Sequence, residues 1–327
     1  MDTLDFLREK TDRINARLPK SGIAAVVRHI EMAERHFERG RDRADTDLFT
    51  DVVYRTNHAF EGILKESYAI LAGKDPANKS AYDIENYLVE SNIFQPRVME
   101  LFTHYRTKWR NPSTHDHVAT FTASEAFLSI LNVTAFVGIL MDQMVEKLTF
   151  EQETEKLRGE ADGLKRELER HRNEPLVDRI TYLLQSFASR MALAESDLSE
   201  TELVASLRAF LEAVAPGLTV IQEPTIRDNM GFLRPDFVIR DGQERIVLEV
   251  KRYRKWDQQI HRVALDQARR HLQAADVKGG FVLAVPMSDA ERGEETHDQV
   301  LVEPVGTDQW LVMIRLLPKA KGRNKAA

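Results

Sequence analysis

The chain has 327 residues and a mass of 37.5 kDa, which at about 150 residues per domain suggests two domains. Hydrophobic residues make up 43% and charged residues 30%, which excludes a disordered chain; with no cysteine, disulfides, thiolate metal sites and cysteine nucleophiles are excluded together. A net charge of −6 and an isoelectric point near 6.0 exclude a polycation that coats nucleic acid, so any such binding must come from a local basic surface. Mean hydropathy is −0.40 and no apolar run near the ~18 residues of a membrane span stands out, so no membrane association is expected. The opening MDTLDFLREKTDR mixes acids and bases without an apolar stretch; no secretion signal is expected, and the location expected is cytoplasmic.

Residues 1–146 read as helix. IAAVVRHIEMAERHF places Ile23, Val26, Val27, Ile30 and Phe37 near i, i+3, i+4, i+7 spacing. The pattern returns from Leu48 to Leu71 and stops at Gly73, a C-cap signal. Asp83 to Trp109 continues it, with Pro96 opening a new helix at its first turn. TASEAFLSILNVTAFVGILMDQMVEKL is apolar on most faces and reads as a central buried helix, with Thr122 as N-cap and Glu125 as its capping-box partner. An all-α bundle is expected. Between the last two helices, HYRTKWRNPSTHDHVATF carries Asn111-Pro112, which is expected to break the preceding helix. Arg110, a phosphate ligand, and His115, which titrates near neutrality, then stand at a helix junction, with Asp116 and His117 beside them. RNA is cut without metal when a base activates its 2′-OH and an arginine stabilises the transition-state phosphate.

Residues 147–175 turn to Glu, Lys and Arg. Leu157, Ala161, Leu164 and Leu168 fit a and d positions over about two heptads, which leaves open a short coiled coil or a solvated linker helix; Pro175 ends it. Residues 176–318 switch period. SETELVASLRAFLEAV reads as a helix, LTVIQEPTI, FVIR, RIVLEVK, GGFVLAVP and WLVMIRLL as strands, and DQQIHRVALDQARRHLQAAD as a helix between the third and fourth. Residues 319–327 form a basic, aperiodic tail expected to be disordered.

The strongest chemical signal is RPDFVIRDGQERIVLEVKRY. Asp241-Gly242 between two β-rich runs signals a type I′ turn. With those two residues as the loop, Asp236 faces Val247, and Asp236, Val247, Glu249 and Lys251 share one face while Leu248 and Val250 point to the core. Glu249 is then the diagonal neighbour of Asp236. Two half-buried like charges are costly unless a cation neutralises them, and a small oxygen set suits Mg²⁺ or Mn²⁺, with Lys251 stabilising developing negative charge. Arg252, Arg254, Lys255, His261, Arg262, Arg269 and Arg270, interleaved with Tyr253 and Trp256, form a basic cluster suited to a phosphate backbone or to a plain solvated helix face.

This stretch resembles the PD-(D/E)xK nuclease superfamily, with the restriction-endonuclease-like fold. Pro235-Asp236 matches the PD element and Glu249-Val250-Lys251 the ExK element. The resemblance implies an α-β-β-β-α-β core, a metal held by Asp236, Glu249 and the Val250 carbonyl, and Lys251 as the catalytic lysine. SETELVASL resembles a first-helix form that adds an acid, which selects Glu200 with Glu202 as fallback. Many members carry Q-x-x-x-Y on the following helix; here Gln267 stands four residues before His271, so the tyrosine is replaced. The helical half resembles the HEPN family over residues 20–145: Arg110-Asn111-x-x-x-His115 fits its signature, His117 fits the longer spacing, and Glu61 matches an acid sometimes found near that site. That resemblance implies a homodimer, and a ribonuclease where the site is active. The expectation is a two-part nuclease, a Mg²⁺-dependent endonuclease acting on DNA and dimerised by the bundle, in a prokaryotic defence setting. Two alternatives stand beside it: a metal-independent ribonuclease whose C-terminal domain binds nucleic acid, and a non-catalytic nucleic-acid-binding protein.

Overall fold

A computed structural model of the chain describes residues 3–115, 118–193, 197–228, 231–277, 279–291, 299–305 and 309–317; the expected basic tail lies outside them. The chain divides into two units, Met1–Leu148 and Thr149–Ala327.

The first unit is helical throughout: α1 (Thr3–Arg17), α2 (Ile23–Arg43), α3 (Asp47–Ile70), α4 (Ala81–Glu90), α5 (Pro96–Tyr105), a π-helical turn (Arg106–Arg110), α6 (Asn111–His115) and α7 (Ala123–Leu157). The apolar stripes seen in the sequence meet around Phe60, whose ring lies 4.8–5.7 Å from those of Tyr105, Phe136 and Phe102. Thr122 and Glu125 form the expected capping box, Glu125 N–H donating to Thr122 Oγ1 (3.3 Å) and Thr122 N–H to the Glu125 carboxylate (2.8 Å). In one respect the sequence misleads: α7 does contain an 18-residue window apolar enough to cross a membrane, with mean hydropathy 1.7. More than half of that window is buried, and Val133, Phe136, Val137, Leu140 and Met141 all lie inside the bundle core. It is the central buried helix.

A second correction concerns Asn111-Pro112. The chain does not leave the helix there; it widens. Pro112 has no N–H to give the carbonyl four residues back, so a regular turn would leave that carbonyl bare. The backbone instead takes a π turn in which Asn111 N–H reaches Arg106 O. The Ser113 hydroxyl donates to Trp109 O (2.8 Å) and the Thr114 hydroxyl to Arg110 O (2.8 Å), adding side-chain bonds to carbonyls of this turn.

The second unit begins with the end of α7 and α8 (Ala161–Arg170), α9 (Leu176–Leu193) and α10 (Glu200–Val214). Strands β1 (Thr219–Gln222), β2 (Ile226–Asp228), β3 (Gly231–Leu233), β4 (Phe237–Asp241) and β5 (Glu244–Tyr253) follow, then α11 (Gln258–Ala274), β6 (Gly279–Pro286), β7 (Gln299–Pro304) and β8 (Trp310–Arg315). Six strands form one mixed sheet in the order β1-β4-β5-β6-β8-β7, parallel only at β5-β6-β8, while β2 and β3 pair as a separate ribbon. Leu248, Val250, Phe281 and Leu283 share a core with α9 and α10; on the other face Val247 and Val282 lie in smaller clusters with residues of α11. Neither a coiled coil nor a solvated linker, the two readings open for residues 157–168, describes these leucines. Leu157 is buried in the sheet-and-helix core and Leu164 and Leu168 pack against it, so the leucine spacing marks a helix docked within its own unit. The expected single strand LTVIQEPTI divides at Glu223, which takes φ +43°, into β1 and the start of β2; β3 and β7 are additions to the expected strand order.

Candidate functional site

The β4–β5 hairpin differs in detail from the expected one. Asp241 pairs with Glu244, so the two-residue loop is Gly242-Gln243. Gly242 takes φ +58° at the first loop position and Gln243 keeps an ordinary negative φ, the arrangement of a type II′ turn. Phe237 pairs with Leu248, a register two residues from that expected. A shift of two preserves the faces, because side chains alternate with period two. Asp236, Glu249 and Lys251 therefore stay together, and Asp236 moves from the diagonal of Glu249 to the position across from it, one step past the last ladder pair.

The start of β4 explains why a gap opens there. Asp236 O accepts from Glu223 N–H (2.9 Å) on the β1 side. Neighbouring residues of a strand alternate sides, so position 235 faces β5, and the same register continued sets Pro235 against Val250. Proline has no N–H to offer the Val250 carbonyl. The Val250 N–H on that same edge is taken by Asp236 Oδ2 (2.6 Å). The Asp236 side chain thus takes the N–H, and the Val250 carbonyl receives no ladder bond from position 235.

Glu249 is only 1% exposed and is held by three donors. Lys251 Nζ (3.2 Å) and Gln267 Nε2 (3.0 Å) reach its Oε2, and His271 Nδ1 bonds its Oε1. His271 is itself buried, one turn beyond Gln267 on α11. It fills the place where the resemblance expects a tyrosine, and the Gln267/His271 spacing of four was the signal in the sequence for a shared helix face. Burial pushes the Asp236 carboxyl up to about 7; the nearby Glu249 carboxylate adds to the rise, the Val250 N–H and Lys251 oppose it, and Glu200 raises it further. The two first-helix candidates separate cleanly. Glu202 is buried as the capping-box partner of Ser199, whereas Glu200 is exposed and close enough for Asp236 to feel its charge.

Among the described residues, no three carboxylate or imidazole groups converge as a ready-made metal cage. The donor set that fits a hard divalent ion is Asp236, Glu249 and the Val250 carbonyl, with waters making up the rest. The basic cluster sorts into two kinds. Arg252 pairs with Asp197, Arg254 with Asp289, Lys255 with Glu291, and His261 and Arg269 with Glu303. Arg262 and Arg270 are exposed and have no ion-pair partner among the described residues.

In the helical unit, Arg110 is mostly buried and its Nη2 lies 3.6 Å from Glu61 Oε1. The adjacent Arg106 meets the fully buried Glu85 at 3.0 Å. Burial raises the Glu85 carboxyl, Arg110 and Arg106 draw it down, and Glu61 pushes it up. Glu85 and Arg106 were missed in the sequence; the available signal was an acid beside Ile84 on the inward face of an amphipathic helix. A chain of bonds supports this corner: Tyr105 OH donates to Asn57 Oδ1 (3.0 Å), and Asn57 Nδ2 donates to Ser113 Oγ. His115 ends α6 in the backbone, but its side chain, Asp116 and His117 lie outside the described structure, so no pairing with Arg110 is given. Set against family models, curated proteins and solved structures, the chain matches none of them.

Proposed function

We propose that the C-terminal unit is a divalent-metal-dependent phosphodiester hydrolase of PD-(D/E)xK type acting on nucleic acid, with DNA as its main substrate. The observation that supports it best is the Asp236–Glu249 pair set one step past the last ladder pair of β4 and β5, where the Val250 N–H bonds Asp236 Oδ2. Asp236, Glu249 and Val250 would hold Mg²⁺ or Mn²⁺. When bound, that ion supplies neutralisation of the scissile phosphate and a more acidic water. Lys251, steadied on Glu249 Oε2, then donates toward phosphate oxygen as charge builds in the transition state. Gln267 and His271 keep the Glu249 carboxylate from swinging toward solvent. Arg262 and Arg270 offer phosphate contacts that direct the strand without reading bases.

A second reading has one observation of its own: Arg110 lies against Glu61 just where the helix widens into a π turn, a feature frequent at functional sites. On that reading the bundle is a HEPN-type ribonuclease using Arg110 and His115, working as a homodimer, and the C-terminal unit binds nucleic acid. With either activity, the family resemblances suggest a prokaryotic defence setting in the cytoplasm. One panel separates the two: DNA and RNA substrates, with Mg²⁺ or with EDTA, for the parent, Lys251→Ala and His115→Ala. The leading reading expects DNA cleavage that EDTA and Lys251→Ala abolish and His115→Ala spares. Cleavage of RNA that survives EDTA and is lost in His115→Ala would replace it. Binding without cleavage would leave a nucleic-acid-binding protein.

A further inference from the structure

The β2–β3 ribbon is an addition that the core fold does not need, and both its ends are fastened at Asp236. The strand entering it is tied there by the Glu223 N–H bond to Asp236 O; the strand leaving it runs through Arg234 and Pro235 directly into Asp236. Its register pairs Ile226 with Leu233 and Arg227 with Phe232. Alternation then gives the ribbon two faces. Ile226 packs against the Val238, Val247 and Leu272 cluster, which anchors one face to the sheet and α11. The opposite face presents Phe232, 69% exposed, with the Arg227 guanidinium 6.0 Å from its ring centre. Arg234 is also exposed and, among the described residues, carries no ion-pair partner.

An exposed phenyl ring beside two arginines is a poor arrangement for stability and a good one for a strand of nucleic acid. The ring offers a stacking surface to a base of any sequence, and the guanidiniums meet the flanking phosphates. We propose that this ribbon is a clasp for a single-stranded or locally unpaired segment of nucleic acid, Phe232 stacking on a base and Arg227 and Arg234 holding phosphates. Phe232 is four residues from Asp236, a reach of at most about 14 Å. The clasped base therefore lies only a few nucleotides from the phosphate presented to Asp236 and Glu249. A base inside a duplex is already stacked on both sides, so the clasp favours substrates with an unpaired stretch.

The inference rests on the proposed hydrolase reading, and its test is independent of cleavage. Binding of a fluorescent oligothymidine, and of a blunt duplex of equal length, is measured by anisotropy on the full chain in EDTA. Phe232→Ala is expected to weaken oligothymidine binding about 5- to 150-fold, Phe232→Trp to restore it, and duplex binding to change less. Arg227→Ala and Arg234→Ala are each expected to lower the salt dependence by about one phosphate contact. Oligothymidine binding within twofold of the parent in Phe232→Ala, or an equal loss on duplex, overturns the clasp even where Lys251→Ala abolishes cleavage. Cleavage indifferent to EDTA and Lys251→Ala, with the Phe232 effect present, overturns the hydrolase reading and leaves the clasp.

Discussion

His271→Ala tests the support of the candidate site. Glu249 is buried and held by Lys251, Gln267 and His271. Removing one partner of a buried ion pair costs about 3–5 kcal/mol when the remaining charge is left bare. Here two donors remain, so the relevant loss is one hydrogen bond to a charged group, about 1.5–3 kcal/mol. That bond alone sets the expected loss at about 2–3 kcal/mol, and the packing of the buried ring adds to it. Hydrogen exchange of the amides of β5 and α11, followed without metal, reads this as a fall in protection of about 30- to 140-fold, at 1.4 kcal/mol per decade. His271→Gln retains a side-chain donor and should lose about half as much. In the cleavage assay His271→Ala should lower kcat, because the carboxylate it steadies gains freedom. Unchanged exchange in His271→Ala, within about twofold, would refute the claim that this histidine fixes Glu249.

Gly279→Ala places a Cβ 1.9 Å from the Trp310 ring; with overpacking costs of about 1–3 kcal/mol or more, the urea midpoint of the C-terminal unit should fall, and an unchanged midpoint would deny that contact. Ser113→Ala strands Asn57 Nδ2 and the Trp109 carbonyl, so thermal unfolding of the bundle should come earlier by about 1–3 kcal/mol. Glu85→Gln tests a buried acid. Its folded carboxyl is raised by burial, so the native state keeps the proton longer than the unfolded chain, and stability present at low pH is lost as pH rises through the raised value. Glutamine mimics the protonated form; the variant should match the parent near pH 4 and exceed it increasingly toward pH 8, and a gap that narrows with rising pH would contradict the burial argument.

Much of this was legible in the residues because period is a strong signal. The inward stripe of α2 and α3, the capping box at Thr122 and the alternation that puts Asp236, Glu249 and Lys251 on one face all follow from spacing. The hairpin register was not, since Asp241-Gly242 and Gly242-Gln243 are both credible two-residue loops; only the parity of the strand kept the site together. Leu157, Leu164 and Leu168 carry a spacing shared by coiled coils and by helices docked on their own domain, and no local pattern tells them apart. Strands of three residues, as in β2 and β3, are too short to show alternation. Partners distant in the chain were equally hidden: nothing near Arg269 announces Glu303, and nothing near Arg106 announces Glu85.

The proline before Asp236 has a consequence for how such a site can arise or disappear. A sheet tends to zip to the end of its shorter strand, and a closed zipper has no room for solvent or ion. A ring where a hydrogen should be halts that zipper at Phe237, so the Val250 carbonyl gets no ladder bond from β4. Any residue with an amide hydrogen at 235 lets the hairpin fasten one rung further. The vacancy in the ladder is thus written by an atom the chain lacks, and a single codon is enough to fill it.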